Sequence, residues 1–135
     1  MSNNAAPVTI AAMLKRLVLS LPFALALALS PTLFPAQAAT PAAEIDHLLA
    51  FIAASSCIFI RNGEEYRGPD AADHIRRKYD HFRDEIASAE DFIRLSATKS
   101  ELSGRPYDVR CGSDAAIPAA EWLRMELAAF RKDAS

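Results

Sequence analysis

The first 38 residues differ in kind from the rest, and what they are decides how much chain is left to fold. Lys15 and Arg16 precede an apolar run from Leu17 to Leu29, and the small-residue site Ala36-Gln37-Ala38 follows. This is the order of an export signal, with cleavage expected before Ala39. As a membrane anchor the run is too short, at about 13 residues against the roughly 20 a spanning helix needs, and Pro22 and Pro31 bracket it. Residues Met1 to Ala12 are unusual upstream of a basic n-region, whereas Met13-Leu14-Lys15-Arg16 would open a signal of ordinary shape, which makes Met13 an alternative start. Removal of the signal leaves about 97 residues, enough for one modest core that buries roughly 60 to 65% of the surface of the unfolded chain.

Export also sets the chemistry of the two cysteines. In the oxidising periplasm Cys57 and Cys111 most simply form one disulfide. Closing a loop of about 55 residues is worth roughly 4 kcal/mol by chain entropy, comparable to the net stability of many small domains. A metal-thiolate reading lacks any CxxC pair or second Cys/His cluster. No cysteine follows the cleavage site to carry a lipid, and no second long apolar run occurs, so the mature protein is expected to be soluble, periplasmic or secreted, with no membrane span.

All seventeen acidic residues lie after position 38, against thirteen basic residues there, so the mature net charge is −4 with histidines neutral. That balance gives no electrostatic footprint for nucleic acid.

Residues 39–43 are small and expected to be disordered. Ile45, Leu48, Leu49 and Ile52 then repeat at helical spacing over 44–55. Cys57 to Arg61 is rich in β-formers, and Asn62-Gly63 suits a two-residue type I′ turn because both residues must take positive φ. The hairpin register places Phe59 opposite Tyr66 and Arg61 opposite Glu64, an aromatic pair and an ion pair. Gly68-Pro69-Asp70 starts a helix whose stripe is Ala72, Ile75, Tyr79, Phe82 and Ile86, with the centre of the core expected there. Its other face, Arg76, Arg77, Lys78, Asp80 and their neighbours, reads as solvated, with pairs such as Arg76 with Asp80. Ser88 to Asp91 is a capping-box variant that opens a third short helix. Lys99 to Arg105 is a polar loop, Pro106 to Cys111 a strand, and Ile117-Pro118 the opening of a last helix carrying Trp122, Leu123, Leu127 and Phe130 on one face.

The expected fold is one small α+β domain over 44–135, with about four amphipathic helices on a small antiparallel sheet made of the hairpin and one further strand. The Cys57–Cys111 disulfide brings the start of the first strand to the end of the third, because bridged Cα atoms lie about 4.4 to 6.8 Å apart. The sequence leaves open which sheet face carries it.

Four motifs, taken in order, resemble a known family: Phe59-Ile60-Arg61-Asn62-Gly63, His74-Ile75-Arg76-Arg77-Lys78, Ala89-Glu90-Asp91-Phe92-Ile93 and Ser103-Gly104-Arg105-Pro106-Tyr107. The chain is similar to the YfeK-like family of small exported proteobacterial proteins, a domain of unknown function, over most of Glu44 to Arg131. The resemblance implies an exported protein and brings no activity, cofactor or catalytic residue with it.

Candidate sites are therefore read from the residues. Arg61, Arg67, Lys99, Arg105 and Arg110 fall in hairpin, loop and third strand and could converge on an anion or an acidic partner, although Glu64, Glu65, Glu101 and Asp108 share those segments and surface pairing is the plainer account. With them, Asn62, Ser103, Gly104 and Tyr107 complete the candidate binding set. Ser103-Gly104-Arg105-Pro106-Tyr107 also looks like the Ser-Gly-x-x-Tyr loop of periplasmic lysozyme inhibitors, families that are β-rich; the alternative is a tight turn. His74 and His81, seven apart, lie about 10.5 Å apart along a helix, too far for one first-row metal, and read as surface histidines with carboxylate neighbours. Lys99-Ser100 invites a nucleophile reading without identifiable partners. The leading expectation is a non-enzymatic binding protein for an envelope protein or small ligand, with no cofactor or metal. The alternatives are a lysozyme-inhibitor-like protein acting through the Ser103–Tyr107 loop and a small hydrolase whose site is not readable from sequence, with Lys99, Ser100, His74 and Tyr107 as the nameable candidates.

Overall fold

The computed structural model describes residues 38–135. The expected export signal and the alternative start at Met13 lie, but for Ala38, outside the described residues.

Helix α1 spans Pro41–Ala54. It begins three residues earlier than expected, so Pro41, Ala42 and Ala43 form its first turn rather than a disordered lead. The cause is local: Thr40 Oγ1 accepts from the Ala43 N–H at 3.2 Å, and Pro41 brings a preset helical φ to the first position. Ile45, Leu48, Leu49 and Ile52 form its buried stripe, and Ser55 closes it through its N–H to the Ile52 carbonyl.

Strands β1 (Ile58–Arg61) and β2 (Glu64–Tyr66) form the hairpin in the expected register, Phe59 opposite Tyr66 and Arg61 opposite Glu64. Asn62 and Gly63 both take positive φ, 54° and 84°, as a type I′ turn requires. The two side-chain pairs expected across it give way to others. Phe59 meets Trp122 edge-on at 5.5 Å. Arg61 lies 4.5 Å over the Tyr66 ring and donates to its hydroxyl at 2.9 Å, and that hydroxyl donates to Glu64 at 2.6 Å, so Tyr66 stands between the two charges.

Helix α2 (Gly68–His81) starts hard against the end of α1. A methyl group on Gly68 would overlap the carbonyl oxygens of Ile52 and Ser55. Ala71, Ala72 and Ile75 are buried, but the expected stripe breaks after Tyr79. The helix stops at His81, Phe82 takes φ −96° and ψ 12°, and Arg83–Glu85 tightens into a 3-10 turn. Phe82 is thereby turned partly outward and is not the centre of the core; Phe92, fully buried, is. Asp80 pairs with Arg83 at 2.6 Å, not with Arg76.

Helix α3 (Ala89–Ser96) is opened by the expected box: Ser88 Oγ accepts from the Asp91 N–H at 3.1 Å, and Asp91 accepts from the Ser88 hydroxyl and the Ala87 N–H. Ala89, Phe92, Ile93 and Ala97 are buried. Strand β3 (Asp108–Arg110) pairs with β1, and Ile117–Pro118, expected to open the last helix, is instead a fourth strand, β4, paired with β3. A proline has no N–H to donate and is tolerated at a sheet edge, where β4 lies. Helix α4 (Ala119–Asp133) follows at once.

The domain is thus α+β: four helices and an antiparallel sheet in the order β2-β1-β3-β4. Cys57 and Cys111 are bonded, with Cα atoms 4.3 Å apart, beside the Ile58–Arg110 pair. Both sulfurs' residues pack on the core with Phe59 and Val109, so the disulfide lies on the helix-covered face. At the far side Arg131 joins three helices, donating to the buried Glu44 at 2.7 Å and to Glu90 at 2.6 Å. Among the described residues no helix is long and apolar enough to cross a membrane.

Candidate functional site

Spacing of three and four along α2 puts His74, Arg77, Lys78 and His81 on one side of the helix, with Asp70 and Asp73 one turn earlier on the same side. Strand β1 ends at Arg61 next to them, and β3 sends the preceding residue, Tyr107, inward on the same parity as buried Val109. Two clefts open on either side of a wall shared by Arg61, His74, Arg77 and Tyr107. The first, about 330 Å³, has an apolar floor of Phe59, Ile60, Ala71, Ile75 and Ala119, with Asp70 and Asp73 also lining it. The second, about 510 Å³, is bounded by Lys78, Phe82, Ser100, Glu101 and Leu102.

The wall is held by a hydrogen bond of 3.0 Å between His74 Nε2 and the Tyr107 hydroxyl, the rings meeting edge-on. Burial, then Arg61, Lys78 and Arg77, lower the His74 pKa to about 4, so the imidazole is neutral at physiological pH. Burial raises the Tyr107 hydroxyl above its ordinary value, so it too is neutral. Lys78 is pulled below the usual lysine range, chiefly by burial, with Glu101 opposing. Its ammonium donates to the Lys99 carbonyl at 2.6 Å and to Glu101 at 3.3 Å, and lies 5.2 Å from the Tyr107 ring centre. Neither Arg61 nor Arg77 forms an ion pair among the described residues.

The structure regroups the residues expected at a site. Of the five cations that could have converged, only Arg61 lines the clefts; Arg110 pairs with Glu65 at 2.6 Å, the plainer account, and Arg67, Lys99 and Arg105 are exposed. Asn62 is a brace: it accepts from the Ser103 hydroxyl at 2.6 Å and reaches Ser100 Oγ at 3.5 Å, tying the hairpin turn to the loop. Ser100, only 5% exposed, also takes the Ser103 N–H, and Gly104, at φ 69°, closes the turn through its N–H to the Ser100 carbonyl. The Lys99-Ser100 pair therefore has its hydroxyl committed to the loop. Tyr107 is 7% exposed and turned to His74, so it cannot project into a lysozyme cleft from the loop tip. His74 has a tyrosine and three cations about it in place of a carboxylate, and the ring of His81 meets Phe82 at 4.7 Å. Reading Arg77 and Lys78 as part of a solvated face misses them; the signal in the sequence is that they share a side of α2 with His74 and His81.

Residues 39–131, from α1 to nearly the end of α4, match the family of unknown function DUF5329. The chain belongs to that family. The chain is 39% identical over 49 residues to the uncharacterized protein YfeK of Salmonella typhimurium, in keeping with the resemblance of its motifs. That match covers 36% of this chain and 41% of YfeK, so the aligned stretch spans less than half of the curated relative. No solved structure matches the DUF5329 chain.

Proposed function

We propose that this DUF5329 protein is an exported, non-enzymatic binding protein of the cell envelope and that the paired clefts beside His74 receive a small ligand. The observation that carries the reading is the apolar-floored cleft with a few convergent polar groups, Arg61, His74, Arg77 and Tyr107, one of them with a strongly shifted pKa. Export is supported by the signal-like leader and by the Cys57–Cys111 bond.

Binding is favoured over hydrolysis by the chemistry of the same groups. A general base is most effective with a pKa near the working pH, and His74 at about 4 is a weak one. Ser100 is hydrogen-bonded into its own loop, and Tyr107 is held protonated.

The test is a neutral apolar dye, N-phenyl-1-naphthylamine, titrated into protein purified as the cell processes it. Fluorescence should rise on binding, and Ile60→Trp, which fills the first cleft, should abolish the rise while leaving the melting temperature within a few degrees. Equal binding by the variant, or none by the natural protein, would remove the cleft as a ligand site.

A further inference from the structure

We propose that the ligand is a free, single-chain anionic amphiphile, its carboxylate or phosphate monoester group held by Arg61 and Arg77 in the second cleft and its hydrocarbon body in the first. The inference rests on the reading of the clefts as one ligand site. It goes beyond it in assigning the head group and its place.

Charge decides the orientation. Arg61 and Arg77 face both clefts, but in the first Asp70 and Asp73 offset their charge, and Phe59, Ile60 and Ile75 there suit an apolar body. The second cleft brings Arg61, Arg77 and Lys78 together against the single carboxylate of Glu101, which Lys78 already engages. Among the described residues that leaves two guanidinium groups outside any direct ion pair, Arg61 reaching Glu64 only through the Tyr66 hydroxyl. Guanidinium groups offer paired donors that match carboxylate and phosphate oxygens. Arg61 is already ordered by stacking on Tyr66 and by the bond to its hydroxyl, so little side-chain freedom is lost on binding. Phe82 and the wholly exposed Leu102 border the second cleft and add apolar surface beside the head group. The two clefts share Arg61, His74, Arg77 and Tyr107, so a ligand reaching from one to the other keeps its head group beside the two guanidinium groups, while the bonded His74–Tyr107 pair adds no charge beside its stem.

The experiment compares octanoate, octyl phosphate, octanol and octylammonium as competitors of the neutral dye, with phosphatidylglycerol vesicles as a separate arm. Octanoate or octyl phosphate should bind about tenfold more tightly than octanol, the scale of a charge-assisted hydrogen bond, and octylammonium should bind least. Arg77→Gln should bring the anion to the level of octanol without changing octanol itself, whereas Arg83→Gln, outside both clefts, should change neither. Added salt should weaken only the anions. Equal affinity for octanol and the anions would overturn this inference and leave the cleft standing as a ligand site. Binding to vesicles without binding to the free anions would overturn it in favour of a membrane surface, and failure of every probe, the dye included, would remove both readings.

Discussion

His74 feels the positive charge of the cleft directly. Its folded pKa, about 4, is lower than the ordinary 6.5, so the unfolded chain takes up a proton first as the pH falls. The stability this represents is complete above about 6.5, drains away between 6.5 and 4, and is gone below the folded value. His74→Gln should therefore flatten the fall of the urea midpoint across that window. It should keep the steeper loss at lower pH, where Glu90, held down by its bond to Arg131, and Asp91, held down by Arg94, take up their protons. Parallel profiles for the two proteins would show that the ring is not buried against those cations. The pair that defines the wall was not legible beforehand because its members are 33 residues apart in sequence. The alternation of Tyr107, Val109 and Cys111 did hold half the answer: it places the tyrosine on the core side of its strand, against the reading of that residue as part of an exposed loop.

Among the elements, those with a local cause were readable. The Asn62-Gly63 turn fixes the hairpin register by backbone geometry alone, and the Ser88 cap fixes the start of α3. The start of α1 had an equally local cause in Thr40-Pro41, hidden by the small residues around it. The end of α2 had none: no glycine or proline marks it, and the apolar period continues through Phe82 and Ile86 although the helix ends at His81. The core consequently centres on Phe92, which meets Tyr79 edge-on at 5.6 Å. Phe92→Ala should destabilise the domain by about 3 to 5 kcal/mol, and Phe82→Ala by about 1 kcal/mol or less. Similar shifts of the urea midpoint for both variants would return the core to α2.

At the scale of the molecule, the fold class followed from the order of patterns, while the fourth strand did not, since two residues are too few to show alternation. The Cys57–Cys111 bond encloses α2, α3 and the three strands β1, β2 and β3, and leaves α1, β4 and α4 outside its loop. Cys57→Ser with Cys111→Ser should lower the unfolding free energy by roughly 4 kcal/mol, read from urea denaturation. A loss below about 1 kcal/mol would show that the denatured chain is already compact enough for the bond to add little. The bond formed by Arg131 has a different kind of consequence. Glu44 lies in the first turn of α1 and Arg131 in the last turn of α4, and they touch at 2.7 Å. Beginning and end of the folded domain are therefore neighbours, so the backbone is close to being a ring: a short linker from Ser135 to Ala39 would close it, and the exposed turn 112–116 offers a place to open it again, giving the same sheet and clefts from a chain read in a rotated order.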